Sequence, residues 1–212
     1  MPQGVETNAS ITIKNEKPDM IRIGLQFRDM SSQKGASDWI NMETGEINLA
    51  PSESKTIYYS VTVPTNATGE FYGRISFLDL PPESESKATI GLRTSISVPL
   101  VVIIKGTEAY GLDIQKVNIK QRGKQPMLEF SALNTGNIHL RPKGTCKITR
   151  EGEEDPFMTV GVNVQGFPVY PGRTEKLMAN LNRRIEAGIY KINVFLHVED
   201  DVITNHFSLK IP

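Results

Sequence analysis

Three histidines and a single cysteine are the side chains of this chain that could most readily support chemistry. His197 and His206 flank a turn that contains Glu199 and Asp200, and this donor set could hold a metal ion. Solvated histidines beside a hairpin turn are the commoner arrangement, and His139 lies far away in the sequence. The sequence therefore predicts no metal site at this turn.

Cys146 alternates with Ile148 in an apolar pattern, which is typical of a buried structural thiol rather than a nucleophile. One cysteine cannot form a disulfide within the chain. The acidic run at 151–155 lacks the spaced oxygen ligands of a calcium loop. No glycine-rich phosphate loop or nucleophile motif is present. We therefore expect a protein that is not an enzyme and has no cofactor.

The charge balance argues against nucleic acid as a partner. Lys and Arg number 24, and Asp and Glu also number 24, so the net charge is zero. A surface with no net positive field does not attract phosphate backbones. With 38% apolar and 7% aromatic residues, the composition is that of an ordinary globular protein.

An internal repeat indicates how the chain is organised. An asparagine is followed 36 or 37 residues later by a polar turn, and 54 residues later by a glycine, in each half. Such spacing indicates one structural unit used twice. The equivalent positions are Asn15, 50–54 and Gly69 in the first half, and Asn134, 170–174 and Gly188 in the second.

The segments between these turns alternate apolar and polar residues, which predicts half-buried β-strands. Seven or more such segments per repeat are typical of immunoglobulin-like β-sandwiches. We therefore predict an all-β fold of two tandem immunoglobulin-like domains, residues 1–106 and 107–212, joined by a short linker at 105–108. Trp39 is expected in the core, and Tyr190 fits a tyrosine corner whose counterpart in the first half is Phe71.

The longest predicted strand runs over 90–104, where the even-numbered positions form an apolar face. Strands usually run five or six residues, so a bulge or kink is expected at Pro99. The odd-numbered face is polar. If this strand lies at an open sheet edge, its backbone could pair with a strand of a partner.

Four segments carry a resemblance to a known family: 10–15, 49–54, 71–77 and 90–100. Residues 8–106 resemble the N-terminal domain of the periplasmic pilus-assembly chaperones of the PapD type. The second half resembles a bacterial immunoglobulin-like domain.

The resemblance implies that the long strand lends alternate apolar side chains to an incomplete pilin subunit. It also implies two basic residues that hold the subunit's terminal carboxylate. Ser97 stands at the place of the lysine, and only 5–7 are available for the strand that carries the arginine. The candidate partner-binding residues are Ile90, Leu92, Thr94, Ile96, Ser97 and Val98.

These observations predict a non-catalytic protein-binding or assembly protein of the bacterial cell envelope. Two alternatives stay open: a true periplasmic chaperone for pilus or surface-fibre subunits, and a glycan-binding module that uses Tyr58 or Tyr110. The expected partner is a protein, either a fibre subunit or another envelope protein. The expected location is the periplasm or cell surface, with a signal sequence removed and room for a removed membrane anchor.

Overall fold

The structure is a computed structural model, and it describes residues 1–30, 34–43, 45–81, 94–122 and 125–211. The described chain is built almost entirely of antiparallel β-strands, as the alternating patterns predict. It divides into two compact units, Met1–Glu108 and Ala109–Pro212. No helix in the described residues is both long and apolar enough to cross a membrane.

The first unit is a sandwich of two sheets. One sheet has the strand order β1–β5–β3 and the other has the order β4–β2–β6–β7. A short 3₁₀ turn at Ser37–Trp39 leads into β3. The strands are β1 (Glu6–Lys14), β2 (Ile21–Asp29), β3 (Ile40–Met42), β4 (Gly45–Leu49), β5 (Ser54–Thr62), β6 (Glu70–Leu80) and β7 (Ser95–Ile103).

The second unit is also a two-sheet sandwich, with the orders β12–β9–β8 and β11–β10–β13–β14. Its strands are β8 (Leu112–Arg122), β9 (Gln125–Asn134), β10 (Lys143–Arg150), β11 (Met158–Val162), β12 (Thr174–Asn180), β13 (Gly188–Val198) and β14 (Asp201–Ile211). The prediction of an all-β chain of two immunoglobulin-like sandwiches is confirmed.

Alternate residues of the strands form the core of the first unit, because successive side chains of a strand point to opposite faces. One buried cluster lies between β2, β4, β5 and β6, and a second lies near the carboxyl end of β7. The first cluster comprises Ile23, Leu25, Ile47, Leu49, Ile57, Ile75 and Phe77; the second comprises Ala36, Val61, Val63, Ala67, Val102 and Ile104.

The repeated asparagines build the same turn in both units. The side-chain amide of Asn15 donates to the carbonyls of Asp19, Leu49 and Ala50 at 2.8, 3.1 and 3.0 Å. The amide of Asn134 likewise donates to the carbonyls of Ile138 and Val169, at 2.8 Å each. Both asparagines are buried, so these bonds satisfy backbone carbonyls that water does not reach freely.

The polar turn of each repeat closes on the same asparagine. The amide of Ser52 donates to the Asn15 carbonyl at 3.0 Å, and the amide of Gly172 donates to the Asn134 carbonyl at 2.9 Å. Ser52 and Gly172 also share a left-handed backbone, with φ of 64° and 68°. The repeat in the sequence is therefore a repeat of hydrogen bonds.

The predicted aromatic positions are occupied as expected. The Tyr190 hydroxyl donates to the carbonyl of Glu186 at 3.0 Å, which forms the tyrosine corner. Trp39 is half-buried against the second cluster, with its ring centroid 4.1 Å from that of Phe71. Phe71 is the counterpart of Tyr190 in the repeat. It has no hydroxyl, so it contributes ring packing in place of the tyrosine's hydrogen bond.

One strand prediction was wrong. The bulge expected at Pro99 is absent, because β6 and β7 pair without a register shift from Glu70↔Ile103 to Leu78↔Ser95. Proline is tolerated in an edge strand, where its missing N–H can face away from the neighbouring strand. The segment between Trp39 and Ala50 forms two strands, β3 and β4, which belong to different sheets.

Candidate partner-binding site

β7 is the last strand of its sheet, and the only strand that pairs with it in the described chain is β6. An antiparallel strand uses half of its backbone groups toward each side, so a strand with one neighbour leaves the other half available. The sequence analysis predicted pairing with a partner only if this strand lies at an open sheet edge. In the described part of the chain, β7 lies at such an edge. It is a template on which another strand could pair.

The apolar face of β7 leaves the core progressively along the strand. Val102 is only 1% exposed, Val98 is 37% exposed and Ile96 is 63% exposed. Val102 packs in the second cluster, whereas Ile96 lies opposite Phe77 and is not part of either cluster. Exposed β-branched side chains at alternate positions of an edge strand offer a partner both apolar contact and register.

The opposite face of β7 is polar in its first half, at Ser95 and Ser97, and apolar in its second half, at Pro99, Val101 and Ile103. The Ser97 hydroxyl lies 3.0 Å from the hydroxyl of Ser76 on β6. Val101 also lies on this face and is 42% exposed. A serine in the place of the family's lysine cannot supply a charge to a carboxylate, so this position offers a neutral hydrogen bond instead.

The amino terminus covers the carboxyl end of the β7 edge. The Met1 ammonium donates to the carbonyl of Ile103, and the amide of Lys105 donates to the carbonyl of Met1 at 2.8 Å. The amide of Gly4 then donates to Val63 at 2.7 Å, which carries the chain away from β7. These bonds lie at the carboxyl end, so they leave the edge uncovered near Ile96.

The candidate residues are distributed as follows. Thr94, Ile96, Ser97 and Val98 are all exposed in or next to the first half of β7. The carbonyl of Thr94 accepts a 2.9 Å bond from the amide of Asp79, so pairing with β6 extends beyond the strand itself. Ile90 and Leu92 lie outside the described residues. Val101, which is exposed on the odd-numbered face, was not among the predicted residues and does not belong to the row of Ile96 and Val98.

The remaining chemical candidates behave as structural or solvated groups. Cys146 is fully buried, and desolvation raises the pKa of its thiol from 9.0 to about 12. The predicted burial of this thiol is confirmed, and the raised pKa keeps the thiolate fraction low at neutral pH.

The two histidines beside the last hairpin do not form a pair. His206 lies opposite Asn193, with Nδ1 and Oδ1 2.7 Å apart, whereas His197 lies opposite Val202. Four residues along a strand separate these two positions, about 13 Å at the usual rise. No group of three or more His, Cys, Asp or Glu side chains in the described residues is arranged to hold a metal ion.

The two tyrosines proposed for glycan binding are exposed. Tyr58 lies opposite Ser10 on the first sheet, and Tyr110 precedes the first strand of the second unit. Glycan binding through them stays a prediction.

Comparison with known proteins gives a match in structure only. No protein-family model matches the chain, and no curated protein sequence matches it. Among solved structures, the class 5 fimbriae chaperone CfaA has a TM-score of 0.53 and 13% identity, over 100% of this chain and 95% of that chain. A chain from a chaperone–tip adhesin complex, described as vital for synergistic activation of CFA/I fimbriae biogenesis, has a TM-score of 0.53 and 12% identity. That match covers 100% of this chain and 94% of that chain.

Both matches extend across the two units, so the similarity concerns the two-domain architecture and not one sandwich alone. The resemblance predicted from the first half is confirmed at the level of fold. The chain has the two-domain, immunoglobulin-like fold of the pilus-assembly chaperones.

Proposed function

We propose that the chain is a non-catalytic protein-binding protein of the bacterial cell envelope that engages its partner at the free edge of β7. The observation that carries this proposal is the exposure of Ile96 and Val98 on a strand that has one free side among the described residues. The periplasm or cell surface is the proposed location, in keeping with the fold shared with fimbrial chaperones.

Strand addition explains why a free strand edge and exposed apolar side chains occur together on β7. Backbone hydrogen bonds to the free edge hold a partner strand, and side chains at alternate positions select it. Burying a fully exposed Ile or Val side chain contributes about 1.5–3 kcal/mol. Ile96 is 63% exposed and Val98 is 37% exposed, so their remaining exposure equals about one side chain and together they can supply about 1.5–3 kcal/mol. The Ser97 hydroxyl adds no charge, so the interaction rests on pairing and apolar contact rather than on an ion pair.

Site-specific crosslinking in the source cells tests this proposal. A photoreactive amino acid at position 96 is expected to capture a protein that mass spectrometry then identifies. The same group at Val202, an exposed β-branched position in the second unit, serves as the matched control. Equal capture at the two positions, or no capture at 96, would contradict the use of the β7 edge.

The identity of the captured protein separates the two kinds of envelope function. Recovery of fibre subunits or of an outer-membrane assembly pore would indicate a chaperone for surface fibres. Recovery of an envelope protein in a stable complex, without fibre subunits, would indicate a structural adaptor that shares the chaperone fold.

A face-specific substitution adds a quantitative test. Ile96→Asp is expected to weaken partner binding at least about tenfold, because a carboxylate would be desolvated where an apolar contact forms. Since Ile96 is 63% exposed, the free energy of unfolding should change by less than about 0.5 kcal/mol.

Val101→Asp is the control on the opposite face of the same strand and should leave binding nearly unchanged. Binding would be measured by titration with the purified partner that the crosslinking identifies, and stability by urea denaturation. Unfolding of Ile96→Asp would identify that residue as core, and the proposal would lose its main support.

A further inference from the structure

The outer face of the four-stranded sheet of the second unit carries only basic and neutral side chains. Along β11, β10, β13 and β14, outward-facing residues alternate with inward-facing ones. None of the outward-facing residues of these strands, all of which belong to the described chain, is Asp or Glu. Because the whole chain has a net charge of zero, this face concentrates positive charge locally. We call it the lysine face, and its basic residues are Lys143, Lys147, Lys191, His197, His206 and Lys210.

The lysines of this face differ from a lysine on the other sheet of the same unit. Lys176 on β12 lies 3.1 Å from a carboxylate oxygen of Glu129. Among the described residues, no carboxylate lies within ion-pairing distance of the four lysines of the lysine face. The acidic turn at 199–201 lies beyond one end of the face, where His197 pairs with Val202. The positive charge of the face is therefore available to an external anion.

A shallow trough crosses the strands of the lysine face. The registers of the four strands place a row of mostly small side chains between two rows that contain basic ones. Each row is two residues from the next along a strand, so the two basic rows are about 13 Å apart. The central row is Gly161, Thr145, Phe195 and Thr204. The basic rows contain Lys147 and His206 on one side, and Lys143 and His197 on the other.

The ring of Phe195 lies in the floor of this trough. The ring is half-buried, and the ammonium of Lys147 lies 5.6 Å from its centroid. A ring in a polar sheet face offers a flat apolar surface, and this lysine places a positive charge beside it. The hydroxyls of Thr145 and Thr204 flank the ring in the same row. These three kinds of group match the apolar ring face, the carboxylate and the hydroxyls of an acidic sugar.

The positions of the exposed apolar side chains favour a sugar polymer over a lipid surface. A protein that rests on a bilayer buries an apolar surface in addition to pairing basic residues with headgroups. The large apolar side chains that are exposed on the lysine face are Val202 and Ile189. They lie at opposite ends of the face, since Val202 pairs with His197 and Ile189 pairs with Lys210. Two separated side chains do not form an apolar surface that could enter a bilayer.

We propose that the lysine face binds an extended acidic polysaccharide. The polymer lies along the trough, across the strands, with a sugar ring on Phe195 and its carboxylates beside the lysines of both basic rows. The hydroxyls of the central row accept and donate hydrogen bonds to the sugar. This surface belongs to the second unit, so it is distinct from the β7 edge and gives the protein a second ligand.

Titration of the full chain with oligogalacturonate, a chain of uronic acids, tests the proposal. Saturable binding is expected, and added salt should weaken it at least about tenfold, because ions screen the pairs between lysine and carboxylate. Amide chemical shifts should change along β10 and β13 and stay constant along β8. Maltodextrin, a neutral chain of sugars, is the control and should not bind. Failure of oligogalacturonate to bind would overturn the proposal.

Paired substitutions test whether the lysine face is the site. Lys143→Gln with Lys147→Gln removes one charge from each basic row and should weaken binding at least about tenfold, because charge-assisted bonds are lost. Lys116→Gln with Lys120→Gln is the matched control, since these lysines are exposed on β8 in the other sheet. The control should change binding less than about twofold, as its charges lie away from the trough. Equal weakening by the two pairs would overturn the assignment to this face.

Other polyanions test whether the ligand is a sugar. Oligogalacturonate should bind at least about tenfold more tightly than oligoglutamate of equal charge, because only the sugar packs on the Phe195 ring. Phe195→Leu should remove most of this difference and leave the binding of oligoglutamate unchanged. Equal affinity for the two polymers would overturn the role of the sugar. Tighter binding to phosphatidylglycerol vesicles or to duplex DNA would assign the face to phosphate and overturn it as well.

The variant at the β7 edge separates this inference from the proposed function. Ile96→Asp should leave the binding of oligogalacturonate unchanged, while Lys143→Gln with Lys147→Gln should leave crosslinking from position 96 unchanged. Loss of sugar binding in Ile96→Asp would place the sugar site at the β7 edge and overturn the assignment to the lysine face. The two proposals can therefore fail separately.

Discussion

At the scale of single residues, Asn15 and Asn134 are the side chains on which the two repeated turns are built. Each donates its side-chain amide to carbonyls on two different loops, and each accepts a backbone bond two residues ahead, from Lys17 at 2.9 Å and from Gly136 at 2.8 Å. An aspartate could accept this bond but could not donate to the carbonyls. The repeat in the sequence thus reflects a requirement for a group that both donates and accepts.

Truncation of either asparagine should be costly. Asn15→Ala and Asn134→Ala are each expected to lower the free energy of unfolding by about 2–4 kcal/mol, because buried carbonyls lose their donors. Urea denaturation would measure the change. Asn41→Ala is the control, since Asn41 is exposed on β3, and it should change stability by less than about 0.5 kcal/mol. A loss below about 1 kcal/mol at both buried sites would show that water replaces the amide.

The buried thiol gives a prediction for alkaline pH. Burial raises the pKa of Cys146 from its ordinary value of 9.0 to about 12, so the unfolded chain loses this proton at lower pH than the folded chain does. The folded state then holds more protons between these values, and its stability must fall as pH rises above about 9.

Cys146→Ala removes this linked proton and is the matched variant. The difference in unfolding free energy between the native chain and Cys146→Ala should shrink as pH rises from 8 to 10. Alkylation of the native thiol should also be at least a hundredfold slower than in denaturant. A pH-independent difference with rapid alkylation would mean that the thiol is accessible.

At the scale of elements, close pairing of β10 with β13 depends on a residue without a side chain. A Cβ added at Gly144 would lie 1.8 Å from the carbonyl oxygen of Phe195, a backbone atom that cannot move without separating the strands. The close approach of β13 therefore leaves room only for glycine at position 144. Period-two patterning alone does not reveal the requirement, since any small residue suits an alternating pattern.

Gly144→Ala is expected to destabilise the second unit by about 3 kcal/mol or more, since strain at a central strand belongs to the costly class of substitutions. Gly24→Ala is the control in the first unit. Its added Cβ would lie 3.5 Å from Leu80, an ordinary contact, so its effect should stay within about 0.5 kcal/mol. Thermal unfolding of both variants checks the difference, and equal Tm values would contradict the close approach.

At the scale of the whole molecule, the two units should differ in stability. β8 covers the side of β9 in the second unit, whereas the equivalent edge of β1 is uncovered in the described part of the first unit. The second unit therefore buries more of its strand edges. We predict that the two units are independent folding domains, and that the first unfolds at a lower urea concentration than the second.

The single tryptophan makes this measurable in the full chain. Trp39 lies in the first unit, so its fluorescence reports that unit alone, while far-ultraviolet circular dichroism reports both. The fluorescence midpoint should precede the midpoint of the later dichroism transition, and a fragment of residues 109–212 should reproduce the later transition. One coincident transition in the full chain would show that the units unfold together.

The sequence by itself determined the fold class and the repeat. Alternation of apolar residues in segments such as Ile21–Asp29 reports a strand with one dry face, which is a local property of the chain. The tyrosine corner is also local, because its hydrogen bond joins residues four positions apart. The asparagines and polar turns bond across 34 residues or more, but their repeated spacing is visible in the sequence. These features could therefore be predicted position by position.

Only the tertiary structure decided which strands lie at edges and which inward-facing residues stay exposed. Ile96 and Val102 belong to the same apolar row, yet one is 63% exposed and the other 1%. Ile11 and Phe130, which lie 119 positions apart in the repeat, also differ in burial, because β9 pairs with β8 whereas β1 has no strand on that side in the described residues. Strand neighbours are set by pairing between distant segments, and the period of a pattern carries no information about them. The candidate site depends on this long-range pairing. The sequence could therefore predict the site only for the case in which β7 lies at a sheet edge.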